Sequence, residues 1–174
     1  MKKLMMMLLL YVTTMCVSAQ ENEKKTSFFN NTNFEIKTLY GLKQHSMQPL
    51  NLSMQLSYSF SDKLSLMVAI ERNHTQIDLN DYKTYANSTL LGGGLAYVWM
   101  KDHSYCYDAR LQVLNSFGSP LLKQTTFDIG INLYGRCKKH RLSPIIGLGF
   151  RYQQSHTIGI RDWGGLYAIV GIRF

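Results

Sequence analysis

From Leu50 the chain reads LNLSMQLSYSF. Leu50, Leu52, Met54, Leu56, Tyr58 and Phe60 fall on one face, and Asn51, Ser53, Gln55, Ser57 and Ser59 on the other. A helix, turning about 100° per residue, would scatter these apolar positions around its axis; only an extended strand sorts them into two faces. The pattern returns along the chain. Phe34, Ile36 and Tyr40 alternate with Glu35, Lys37 and Leu39, and Leu64, Leu66, Val68 and Ile70 with Ser65, Met67, Ala69 and Glu71. Further sets begin at Leu91, Tyr105, Phe127, Leu142 and Leu166, the last running through Ala168, Val170 and Ile172 to Phe174. Eight segments of this kind predict an all-β chain.

The connections expected between them are 43–49, 61–63, 73–88, 101–103, 115–124, 136–141 and 154–163. Long and short alternate, as in an antiparallel up-and-down barrel with tight turns at one end and longer loops at the other. Eight such strands close either a membrane barrel, apolar outside, or a soluble lipocalin-like carrier, apolar inside. Aromatic residues favour the membrane. Tyr58, Phe60, Tyr97, Trp99, Tyr105, Tyr107 and Phe174 gather near one set of strand ends, and Tyr40, Phe127, Phe150 and Tyr152 near the other, as interfacial girdles do. Gly92-Gly93-Gly94 interrupts the fourth segment, and no helix follows that would make it a phosphate loop. Its expected role is strand coiling.

Residues 1–19 read MKKLMMMLLLYVTTMCVSA: a basic start, an apolar run from Leu4 to Val12, and small residues at Val17-Ser18-Ala19. This is the pattern of a cleaved secretory signal, too short in its apolar part to cross a bilayer. Cys16 lies within that leader. The expected organisation is a signal peptide over 1–19, a short periplasmic segment over 20–32 and a barrel over 33–174. The chain carries a net charge of +8. An exported protein meets anionic lipid rather than nucleic acid, so the basic balance points to a membrane surface. Export also makes a disulfide between Cys106 and Cys137 feasible, although Cys106 falls opposite about residue 133 and the turn would have to fold back. No Cys or His spacing suggests a metal.

The leader, the eight alternating segments and the Ile172-Arg173-Phe174 end resemble the small OmpA/OmpX-type outer-membrane barrels. The resemblance covers nearly all of the chain after the leader and is one of architecture. It implies a monomeric transmembrane barrel in a bacterial outer membrane, surrounded by outer-membrane lipids and lipopolysaccharide. It also implies an assembly signal at Val170, Ile172 and Phe174 read by the barrel-assembly machinery. It transfers no activity, because members range from adhesins and anchors to pores and lipid-modifying enzymes.

At eight strands the lumen is filled by side chains. The inward charges are expected at two heights, with Glu35, Lys37, Asp108 and Arg173 low, Glu71, Asp128 and Arg151 high, and Arg110 between. Unpaired charges there would be costly, so pairing is expected. Closure of the barrel brings Arg173 to Glu35, and the hairpin around 136–141 sets Asp128 opposite Gly149, diagonal to Arg151. Ser155-His156 resembles the outer-membrane lipid A deacylases in its place on the strand, but adjacent strand residues face opposite ways and cannot form a nucleophile–base pair. No catalytic residue and no cofactor is expected. The turn Arg136–Arg141 offers basic groups to periplasmic headgroups or a partner. The expected function is structural or surface-interacting, with an extracellular ligand at loop 73–88. The alternatives are a lipid A-modifying enzyme and, behind it, a soluble periplasmic carrier.

Overall fold

The computed structural model describes residues 31–44, 46–79, 82–102, 104–118, 120–135 and 142–174. Its eight strands are β1 Thr32–Gly41, β2 Met47–Ser59, β3 Leu64–Leu79, β4 Tyr82–Lys101, β5 Tyr105–Ser116, β6 Gln124–Gly135, β7 Ser143–Ser155 and β8 Trp163–Arg173. Each pairs with its chain neighbour, and β8 returns to β1, with Glu35 opposite Arg173 and Gly41 opposite Tyr167. This closed antiparallel barrel has no free edge around its middle. The signal segment, Cys137 and the basic turn 136–141 lie outside the described residues.

Alternation decides which side is which. Along β2, Asn51, Ser53, Gln55 and Ser57 are buried in the lumen while Leu50, Leu52, Met54 and Leu56 are exposed on the outside. The same division holds for Glu35 and Lys37 against Phe34, for Asp108, Arg110 and Gln112 against Leu111 and Val113, and for Asp128 and Asn132 against Ile129 and Ile131. Apolar side chains cover the outside and charges fill the inside. That is the reverse of a soluble carrier and the arrangement of a membrane-spanning barrel.

Glycine shapes the wall where β4 meets β5. A Cβ on Gly92 would lie 2.7 Å from the Leu114 Cα, and one on Gly94 would lie 2.7 Å from the Gln112 Cα. Only glycine lets the two backbones coil this closely on the inner face. Below it, a register shift between Val98 and Met100 leaves both Trp99 and Met100 exposed.

The connections differ from those expected. They span 42–46, 60–63, 80–81, 102–104, 117–123, 136–142 and 156–162, so long and short do not alternate. Asymmetry between the two ends resides in strand length instead. Most of 73–88, expected as the longest loop, is strand: β3 runs to Leu79 and β4 begins at Tyr82, with Asn73 opposite Ser88 and Thr75 opposite Ala86. The alternation was invisible there because both faces are polar. Asn73, Thr75 and Ser88 point inward while Arg72, His74 and Asn87 point outward.

Candidate functional site

The lumen holds two ionic clusters. Near the end that carries Phe174, β5 and β1 face each other across the interior. Arg110 spans the gap with both terminal nitrogens, donating to the Glu35 carboxylate at 2.6 and 3.0 Å. The same guanidinium donates to Asp108 on its own strand at 2.9 and 2.7 Å. From β8, Arg173 donates through Nε to Glu35 at 2.7 Å and lies 3.6 Å from the centre of the Tyr134 ring. Lys37 stands 3.4 Å from Glu35 and donates to Gln55 Oε1 at 2.5 Å, and Asn132 donates to Asp108 at 3.0 Å.

Higher in the lumen, Arg151 on β7 reaches two strands. It donates to Glu71 on β3, across the barrel, at 2.5 and 3.1 Å, and to Asp128 on the adjacent β6 at 2.5 and 2.6 Å. Gln112 donates to the same Asp128 carboxylate at 2.7 Å. Asp128 sits directly opposite Arg151, not opposite Gly149 as the sequence reading placed it. Cys106 faces Tyr134, within one residue of the expected position, and is buried beside Tyr134 and Ile145.

Charge is balanced between the clusters rather than within each. The lower one sets Lys37, Arg110 and Arg173 against Glu35 and Asp108, leaving one positive charge in excess. The upper one sets Arg151 against Glu71 and Asp128, leaving one negative charge. Between them lies a cavity of about 10 Å³, lined by Lys37, Arg110, Gln112, Asp128, Asn132 and Tyr167 among others. That is room for about one water. The Asn132 Oδ1 on its wall is buried without a hydrogen-bond partner among the described residues. Above the upper cluster Trp163, Leu122 and Met47 are buried at the end opposite Phe174.

Every inward charge singled out from the sequence lies in one of these clusters, and the Arg173–Glu35 pair forms as barrel closure required. The bridges Arg110–Glu35 and Arg151–Glu71 had no signal, because they join strands that are not neighbours. Gln55, Gln112, Asn132, Tyr134 and Tyr167 were also missed; their signal was an inward phase with a polar or hydroxyl-bearing side chain. Val170 and Ile172 on the outer face of β8, and Phe174 just beyond its end, are exposed. Phe174 N donates to the Phe34 carbonyl at 2.8 Å, and the two rings lie 5.8 Å apart.

No nucleophile is assembled at the top of β7. The Ser155 hydroxyl donates to the Thr157 carbonyl at 3.4 Å, whereas His156 Nε2 shares a 2.8 Å hydrogen bond with Thr125. Among the described residues no group of His, Cys, Asp and Glu is placed to hold a metal ion. Asp162 ties the 156–162 loop to β7, accepting from Tyr152 Oη at 2.6 Å and from the Ser155 backbone at 2.8 Å. These hydrogen bonds, the tyrosine's foremost, hold its carboxyl below the ordinary aspartate value.

The outer surface carries a second feature. β2 follows β3 up to Met47 opposite Ile77, but β5 follows β4 only to Ser116 opposite Leu90. Above that point Phe117 N donates to the Thr89 carbonyl at 2.7 Å and Leu122 N to the Asn87 carbonyl at 3.4 Å. Residues alternate in which neighbour their backbone faces, so Lys83 and Tyr85 turn N–H and C=O to the same side as Asn87 and Thr89. No strand covers them there among the described residues. Tyr82, Tyr85, Phe117 and Leu121 are exposed around this open edge, and the Tyr85 ring stacks 5.0 Å from His74.

No family model and no curated protein matches the chain. Among solved structures it is similar to the outer membrane protein Ail of Yersinia pestis in a phospholipid nanodisc. That match has 13% identity, 82% of this chain, 98% of that one and a TM-score of 0.48. The crystal structure of Ail, the attachment invasion locus protein of the same organism, matches at 11% identity over 82% and 96%, with a TM-score of 0.44. A de novo designed transmembrane β-barrel matches at 16% identity over 83% and 94%, with a TM-score of 0.41.

Proposed function

We propose that this chain is an integral protein of a bacterial outer membrane, exported by its 1–19 leader, and that it acts at the cell surface by offering the raised β2–β4 sheet to an extracellular protein. The observation that carries the reading is the upper edge of β4, where no described strand pairs with the side of Lys83 and Tyr85 that faces away from β3, beside exposed aromatics. An extended segment of another protein adds to such an edge by main-chain hydrogen bonds, with neighbouring side chains setting preference. The lumen takes no part in binding. Its charges pair with one another and hold opposite walls together, and the cavity between the clusters has room for about one water.

The membrane setting is supported by the outward apolar belt and its low aromatic girdle, where Trp99 and Tyr107 meet edge to face at 6.2 Å. Val170 and Ile172 on the outer face of the closing strand, with Phe174 just beyond its end, would be the surface read by the barrel-assembly machinery. The enzyme alternative gains no support from Ser155 and His156, whose hydrogen bonds lead to different partners.

The first test is gel mobility of the outer-membrane fraction, boiled and unboiled. A heat-modifiable band is expected; a soluble protein without one overturns the membrane reading. The second is pull-down of extracellular host or bacterial proteins by barrels with and without residues 73–88 replaced by a short turn. Partner capture that survives the replacement, with heat-modifiability intact, overturns the surface reading.

A further inference from the structure

The upper edge of β4 carries a charge pattern that narrows what can dock there. Lys83 and Tyr85 lie in the outward phase of β4 with Asn87, and the Tyr85 ring stacks on outward His74. Directly opposite Lys83 on β3 stands Asp78, its natural cross-strand partner. That carboxylate is already engaged. It forms an ion pair with Lys43 and accepts from Gln76 at 2.8 Å. These bonds, Lys43's foremost, hold its carboxyl below the ordinary aspartate value, and Lys83 adds only a weaker pull. Lys83 is exposed and forms no ion pair among the described residues.

The rest of this end has the same imbalance. Outside the lumen its described carboxylates are Asp78 and Asp162, and Asp162 is tied to Tyr152 and the Ser155 backbone. Lys123 forms no ion pair among the described residues, and it follows Leu122, whose N–H reaches the Asn87 carbonyl on β4. A sugar sulfate would answer these charges but leave the edge's backbone without a partner, and a neutral strand would do the reverse. An acidic polypeptide in extended form answers both. The edge also fixes a spacing. Lys83 and Tyr85 each turn N–H and C=O to the open side, so each meets one residue of an antiparallel segment, and those two residues lie two apart on one face. We infer that the β4 edge binds an extended acidic segment of another protein, with a carboxylate opposite Lys83 and, two residues from it, an apolar or aromatic side chain opposite Tyr85. The inference rests on the edge-docking reading and names the partner for it.

The experiment titrates the full barrel, folded into zwitterionic phospholipid vesicles, with short labelled Thr-rich peptides that carry Glu and Phe two residues apart. Comparison peptides replace the Glu with Lys, or shift the Phe by one so that the two side chains face opposite ways. Fluorescence anisotropy gives Kd, and heat-modifiability shows that each barrel variant is folded. Wild type should bind the Glu–Phe peptide about fivefold more tightly than either comparison peptide, and Lys83→Glu should reverse the order of the Glu and Lys peptides. Tyr85→Pro should lose the Glu–Phe peptide, because it removes an edge N–H. Equal binding of the Glu and Lys peptides to wild type, or an order that Lys83→Glu leaves unchanged, overturns the acidic assignment while edge docking stands. Equal binding of the shifted peptide overturns the spacing. If Tyr85→Pro binds the Glu–Phe peptide as wild type does, or wild type binds no peptide, the edge reading itself falls and this inference with it.

Discussion

Arg151 shows what a single residue does in this lumen. Its side chain is buried, and its nitrogens neutralise Glu71 and Asp128 on two walls of the barrel. Replacing it with methionine keeps the volume but strands two carboxylates in a low-dielectric interior. Breaking a buried pair from one side costs about 3–5 kcal/mol. Arg151→Met should therefore lower the urea midpoint of the vesicle-folded barrel by that equivalent, and adding Glu71→Gln and Asp128→Asn should recover most of it. A midpoint for the single variant within about 1 kcal/mol of wild type would mean the cluster is not closed to water. Asp162 makes the opposite case at the surface. With its carboxyl held below the ordinary value by Tyr152 and Ser155, the loop contact is complete at neutral pH. It is lost only as pH falls through that lowered value, below about pH 4. The Ser155 amide resonance should titrate there, and in Asp162→Asn it should not. A midpoint above the ordinary aspartate value would reverse the assignment.

Individual elements explain which expectations the sequence could support. β2 was plain because its two faces differ at every step from Leu50 to Phe60. The upper halves of β3 and β4 were hidden because a strand that leaves the membrane no longer needs an apolar face, and the period-two signal disappears with it. Register suffered for a related reason: hairpin ends were placed by polarity, so Asp128 landed two residues from its true partner Arg151. Inward phase needs no register, which is why the lumen charges were identified while most of their partners were not. The raised hairpin itself yields a prediction that separates its two edges. Tyr85 turns its N–H to the open side, whereas Thr84, opposite Ile77, turns its N–H to β3. Tyr85→Pro should leave the barrel's stability nearly unchanged and abolish strand docking, while Tyr85→Ala retains some docking because it keeps the N–H. Thr84→Pro should loosen the hairpin by about 1 kcal/mol or more, seen as faster amide exchange along 73–79. Docking that survives Tyr85→Pro would rule out main-chain pairing at this edge.

The barrel as a whole is a closed sheet turned inside out, and its stability in lipid and in water should have opposite requirements. Ile131 lies mid-strand on β6, 52% exposed, flanked on the same outer face by Ile129 and Leu133 and paired to Leu111's neighbour Ala109. In a water-soluble barrel an exposed isoleucine could become arginine at almost no cost. In a bilayer that substitution places a charge near the hydrocarbon midplane and costs about 2–4 kcal/mol. Arginine at the adjacent inward position, Asn132, fails for another reason, because that side chain is fully buried and already donates to Asp108. The distinguishing measurement is the folding free energy of Ile131→Arg in vesicles of increasing acyl-chain length. If the outward belt is the lipid-facing surface, the penalty grows as thicker bilayers carry residue 131 farther from either headgroup layer. A penalty near zero, independent of thickness, would mean that this face meets water and that the apolar belt covers something other than a membrane.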